Sequence, residues 1–179
     1  MDMEVRREYP LVDDILAPHL GALGGEAGAY RNHVYRVLNY YAALAAADPP
    51  DAVLIAAAFH DLGIWTDGTF DYLPPSVRLA RAYLGGRGLA ELEGEVVLLI
   101  EQHHKLRGYR GPFAPTVELF RRADLIDLSL GAVRFDVPPR VVRAIKAAFP
   151  DQGFHARLVS LAARHLVKSP LRPLPMVRW

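Results

Sequence analysis

The stretch AAAFHDLG, residues 56–63, sets an imidazole and a carboxylate side by side where an apolar run ends. Adjacent helical side chains diverge by about 100°, so His60 and Asp61 can touch one ion only if it lies between their directions, near the helix end. The partial negative charge of a helix carboxyl end favours a cation at that place. Upstream, His33 sits in AYRNHVYRVLNYY beside a stripe of Val34, Val37, Leu38 and Tyr41. Downstream, Asp124 sits in VELFRRADLIDLSLG between Ala123 and Leu125. A carboxylate embedded in an apolar helix face is costly unless it is paired or bound to a metal. Two imidazoles and two carboxylates on three helices form a ligand set suited to a divalent ion such as manganese, iron, magnesium, zinc or cobalt.

Those helices must come from one domain. The chain has 179 residues, of which 51% are hydrophobic, enough for a single sizeable core. Without cysteine, disulfides and thiolate metal sites are excluded. Lysine and arginine total 21 against 20 acidic residues, so no global basic field exists to hold nucleic acid or an anionic membrane. The opening MDMEVRREYP lacks an apolar leader core, and no stretch nears the roughly 18 uninterrupted apolar residues of a membrane span. The expectation is a cytoplasmic protein.

Apolar residues recur at three- and four-residue steps, and strand-like alternation is scarce. The pattern predicts an all-α, single-domain bundle of about eight helices, near 10–22, 27–47, 50–62, 75–84, 90–105, 115–130, 138–148 and 153–168. Pro50, Pro75 and Pro139 sit where helices open, and Gly63 reads as a helix stop. Residues 64–73 read as a loop. Residues 1–168 form the expected domain, and 169–179 a proline-rich strap packed on it, with Leu171, Leu174, Met176 and Trp179 in need of cover. The glycine-rich segments lack the lysine and hydroxyl residue of a phosphate loop, and neither an HExxH nor a GxSxG pattern occurs.

The order His33, then His60-Asp61, then Asp124 on successive helices resembles the HD superfamily of metal-dependent phosphohydrolases, most closely in AAAFHDLG and RADLID. The resemblance spans roughly half the chain. It implies an HD-type helical bundle, and metal ligation by His33, His60, Asp61 and Asp124. It also implies hydrolysis of a phosphomonoester or phosphodiester in a nucleotide or other small phosphorylated metabolite. In IEQHHKLRGYRG, His103 and His104 are similar to the histidine pair of HD-GYP and other binuclear members. Such members usually supply a further histidine upstream of that pair, and none stands between Asp61 and His103 here. One ion is therefore the first expectation and two the alternative, with His103 and His104 as second-site ligands, as donors to substrate phosphate, or as solvated helix-end residues.

Hydrolysis needs cations for the phosphate oxygens. The candidates are Arg31 and Arg36 around His33, Lys105, Arg107 and Arg110 after the histidine pair, and Arg121 or Arg122. Asp67 and Asp71 are candidates for acid–base work, with turn formation as the plain alternative. Asp127 reads as a surface cap, and His19, His155 and His165 as ordinary residues. The rival functions are a di-iron oxygenase of the same superfamily and a non-catalytic metal or nucleotide sensor. A homodimer would suit the apolar tail.

Overall fold

Prolines and apolar periodicity divide the chain into helices, and a computed structural model contains no strand among the residues it describes, 4–168, 170 and 175–177. The predicted first helix is broken. Pro18 interrupts it, leaving α1 (Pro10–Leu16), a 3-10 turn and α2 (Leu20–Leu23). The long α3 (Ala27–Ala45) follows, then α4 (Asp51–Phe59). The predicted loop after Gly63 contains a one-turn helix, α5 (Gly63–Thr66), and α6 (Leu73–Arg87) opens on prolines. The remaining helices are α7 (Glu93–Gln102), α8 (Ala114–Leu128), α9 (Pro139–Ala148) and α10 (Phe154–Lys168).

The centre is built from α3, α4, α7 and α8, with α3 against α8 and α4 against α7. Nearly all of α4 is buried, from Ala52 through Phe59 with only Leu54 partly open. Its alanines let neighbouring backbones approach closely, so α4 becomes an inner helix with no polar face. Along α3, burial is continuous from His33 to Tyr41. The sequence-nominated ligands lie on α3 and α8 or immediately after the ends of α4 and α7.

Gly63 has a different role from the stop expected of it. It is absent from the glycines with positive φ, and a Cβ there would meet Tyr72 O at 2.5 Å and Pro75 Cγ at 2.9 Å. The glycine allows the entry of α6 to press on the turn after Asp61, and its N–H donates to Ser76 Oγ at 3.0 Å. The glycine that ends a helix by left-handed geometry is Gly88, whose φ of 70° lets it and Leu89 return hydrogen bonds to the last turn of α6.

Met176 is buried, and Val177 packs against the core. The rest of the expected strap that needed cover, Leu171, Leu174 and Trp179, lies outside the described residues.

The segment from His103 into α8 is held by Glu118. Its carboxylate accepts from Arg121 at 2.7 and 2.8 Å, from Arg122 at 2.8 Å and from the Tyr109 amide at 2.9 Å. Partial burial opposes the charge, but these donors prevail and lower the Glu118 pKa from 4.5 to about 2. A depressed carboxylate pKa contributes stability that is present above the unfolded value and is lost as pH falls toward the folded one. Glu118→Gln should therefore lower the urea midpoint at pH 6, and the gap to wild type should shrink as pH drops from about 4.5 toward 2. A gap independent of pH would contradict this role.

Candidate metal centre

His60 and His103 both stand immediately after the last residue of a helix, at the carboxyl ends of α4 and α7. Each turns its ring back on its own helix. His60 Nδ1 lies 2.8 Å from Ala57 O, and His103 Nδ1 lies 2.6 Å from Ile100 O. A carbonyl only accepts, so both Nδ1 atoms carry the proton and both Nε2 atoms are free to face inward. Two helix carboxyl ends thereby converge on one point, each favouring positive charge there.

His33 reaches the same point from α3. Its Nδ1 donates to Asp127 Oδ2 at 2.8 Å, which directs Nε2 toward His60 Nε2 at 2.9 Å. Around that pair, Asp61 Oδ2 lies 3.7 Å from His33 and 3.6 Å from His60, and Asp124 Oδ1 lies 3.8 and 3.7 Å away. Ligands about 2.1 Å from a shared ion sit about 3 to 3.4 Å from one another, so each carboxylate oxygen lies near the spacing that a shared ion would set with the two imidazole nitrogens.

The other oxygens of the same carboxylates face elsewhere. Asp61 Oδ1 is 3.4 Å from His103 Nε2, and Asp124 Oδ2 is 3.4 Å from His104 Nδ1. Asp61 and Asp124 thus stand between two pairs of imidazoles, with one oxygen for each pair. Three of these atoms, Asp61 Oδ1, Asp124 Oδ2 and His103 Nε2, are buried without a hydrogen-bond partner. Buried polar atoms left unpaired cost free energy that a bound cation would recover. Buried His and Asp groups here could hold a metal ion, as the sets His33, His60, Asp61 and Asp61, His103, His104.

Protonation follows the geometry. Burial alone would raise the Asp61 pKa, but the imidazoles of His60, His103 and His33 lower it far below the carboxylate range. Asp124 is likewise lowered, against burial, by His60, His104 and His103. Burial disfavours charge on His60, yet Asp61 and Asp124 outweigh it and hold its pKa up to about 9. Burial pulls His33 down, and pulls His104 down to about 4.

Behind the ligands lies a supporting layer that the sequence concealed. Asp127, expected at the surface, is buried and binds both His33 and the guanidinium of Arg36, which donates to it at 2.6 and 2.8 Å. Burial would raise the Asp127 pKa, but His33 and Arg36 lower it strongly. Tyr72 OH is 2.6 Å from His104 Nε2, and the Phe154 ring stacks on His33 with centroids 4.1 Å apart. His155, read as ordinary, bonds Asp127 O through Nε2 and Asp151 through Nδ1. One signal was available: Arg36 and Asp127 each lie three residues beyond a ligand, on the same inward helix face.

The proposed phosphate cradle is largely engaged elsewhere. Arg36 is buried and committed to Asp127. Arg31 makes a two-point bond to Asp13 and lies over the Tyr35 ring. Arg121 and Arg122 are held by Glu118, so neither pairs with Asp124. Asp67 is bound to Arg78 at 2.9 and 3.0 Å and stays outside the cluster. Arg107 and Arg110 are exposed in the segment after the histidine pair, and Lys105 is half-buried. His103 and His104 are not solvated helix-end residues, since the first is buried and the second mostly so.

No family model, curated protein or solved structure matches the chain.

Because Asp127 orients His33 and sustains its basicity, Asp127→Asn should weaken metal binding by roughly 10- to 100-fold while circular dichroism stays helical. Competition against a fluorescent chelator measures the affinity. Unchanged affinity in the folded variant would remove Asp127 from the site.

Proposed function

We propose that the chain is an HD-type metal-dependent phosphohydrolase with two divalent ions, acting on a small phosphorylated molecule. The observation that carries this reading is the pair of buried carboxylates, each with one oxygen toward His33 and His60, and with the other toward His103 in the case of Asp61 and toward His104 in the case of Asp124. Sequence favours one ion because the upstream histidine is missing. The geometry favours two, because His103 and His104 together supply the imidazoles of the second position.

Bound ions would polarise a phosphoryl oxygen and acidify water toward neutral pH. The chain's own part is to hold and exclude. Nε2 of His33 and His60 with Asp61 Oδ2 and Asp124 Oδ1 would take one ion, and Nε2 of His103 and Nδ1 of His104 with the remaining carboxylate oxygens the other. Ala57 O, Ile100 O and Asp127 fix the histidine tautomers that expose those lone pairs. The cluster is buried, and its most open side chain is His104, 15% exposed. Burial also keeps the Tyr72 phenol protonated well above its ordinary pKa, so it can support His104 as a neutral partner.

A second reading has one observation behind it: a histidine-rich second position beside a shared carboxylate also suits a pair of irons, as in a di-iron oxygenase. One experiment separates the two. Protein purified without chelator is assayed for metal content, then for phosphate release from a panel of esters under different divalent ions, and for oxygen uptake. The proposal expects metal-dependent phosphate release that chelation abolishes and that His60→Ala and Asp61→Ala reduce to background. Two irons with oxygen uptake and no phosphate release would replace it with the oxidative reading. Full metal content in both variants would refute the site.

A further inference from the structure

A cavity of 240 Å³ lies against the His104 side of the cluster. Phe70, Leu128, Leu158, Val159, Met176 and Val177 give it apolar walls. Its two polar edges are Tyr72 and His104, which are already hydrogen-bonded to each other at 2.6 Å. Among the described residues, neither lysine nor arginine lines it.

The cavity meets the cluster at one place. The His104 side chain is 15% exposed, whereas those of His33, His60 and His103 are 2% or less. His104 Nδ1 is in turn 3.4 Å from Asp124 Oδ2, one of the unpartnered buried oxygens. An anionic head group at the cluster would therefore send the rest of its molecule past His104 into an apolar space. Ribose or sugar hydroxyls placed there would give up water without gaining partners. The volume is below the usual range of about 300 to 1,000 Å³ for ligand pockets, which fits a ring system or short chain better than a base with its sugar.

Resting on the phosphohydrolase reading, we infer that this cavity seats the body of the substrate and that the substrate is a phosphate monoester of an apolar alcohol or phenol. In the reaction the bond from phosphorus to the ester oxygen breaks and one from phosphorus to a water oxygen forms. The ester oxygen leaves with a proton as the free alcohol or phenol, and inorganic phosphate is released. No oxidant or further reactant is needed.

The test compares 1-naphthyl phosphate with adenosine monophosphate as substrates, and measures binding of 1-naphthylphosphonate and inorganic phosphate by calorimetry in the metal-loaded protein. Two variants alter the cavity without touching the cluster: Ala162→Trp fills it, and Val159→Glu adds charge at a residue 69% exposed, where folding is safe. The expected result is a KM for naphthyl phosphate at least tenfold below that for the nucleotide. Both variants should weaken phosphonate binding at least tenfold while leaving metal content and inorganic phosphate affinity unchanged. Preferred turnover of the nucleotide, with phosphonate binding indifferent to both variants, would overturn the assignment and leave the hydrolase reading standing. If no ester is cleaved yet phosphonate binding is lost in both variants, the hydrolase reading fails and the apolar binding cavity stands.

Discussion

Two carboxylates in the middle of an apolar helical core set the terms for the rest of the molecule. Asp61 and Asp124 are each 2% exposed, and no lysine or arginine is paired with either among the described contacts. Their charge is met by imidazoles alone, and the two helix carboxyl ends nearby add negative potential of their own. Removing ions from water without a close partner costs several kcal/mol each, so this arrangement is costly without added positive charge. His60, whose pKa the two carboxylates raise, can supply part of it. The atoms it leaves unpartnered are those nearest His103 and His104.

The surrounding fold delivers four imidazoles to those carboxylates with their lone pairs aimed. For His60 and His103 the device is local: a ring that follows the last helical residue bonds the carbonyl three residues back. For His33 it is long-range, since Asp127 comes from α8 and is itself held by Arg36 from α3. The tight pairing of α3 with α8 thus has a chemical purpose as well as a packing one. Phe154, at the start of α10, closes the far side of His33. On the opposite side, Tyr72 and His104 form the boundary between the polar cluster and an apolar cavity.

Much of this was legible in the sequence, for identifiable reasons. Helix positions follow from prolines and from apolar periodicity, and they failed where Pro18 cut the first helix. His33, His60, Asp61 and Asp124 stand out because polar residues interrupt apolar faces, and the fold brings all four together. The supporting layer did not stand out. Asp127 looked like a surface aspartate because its partners lie more than ninety residues away, at His33 and Arg36. His103 stayed open between ligand and solvated helix end, because sequence does not show that this helix end points inward. The phosphate cradle misled for the converse reason: cations close to the ligands in sequence are taken by acids near them in space, Arg31 by Asp13 and Arg121 by Glu118.

The central proposal is that Asp61 and Asp124 together would span two cation positions. Crystals of the protein grown with manganese, with diffraction recorded where that metal scatters anomalously, test it most directly. The account predicts two anomalous peaks: one among His33, His60, Asp61 and Asp124, the other among His103, His104 and the same two carboxylates. A single peak bound by His33 and His60 alone, with His103 and His104 turned away, would contradict it.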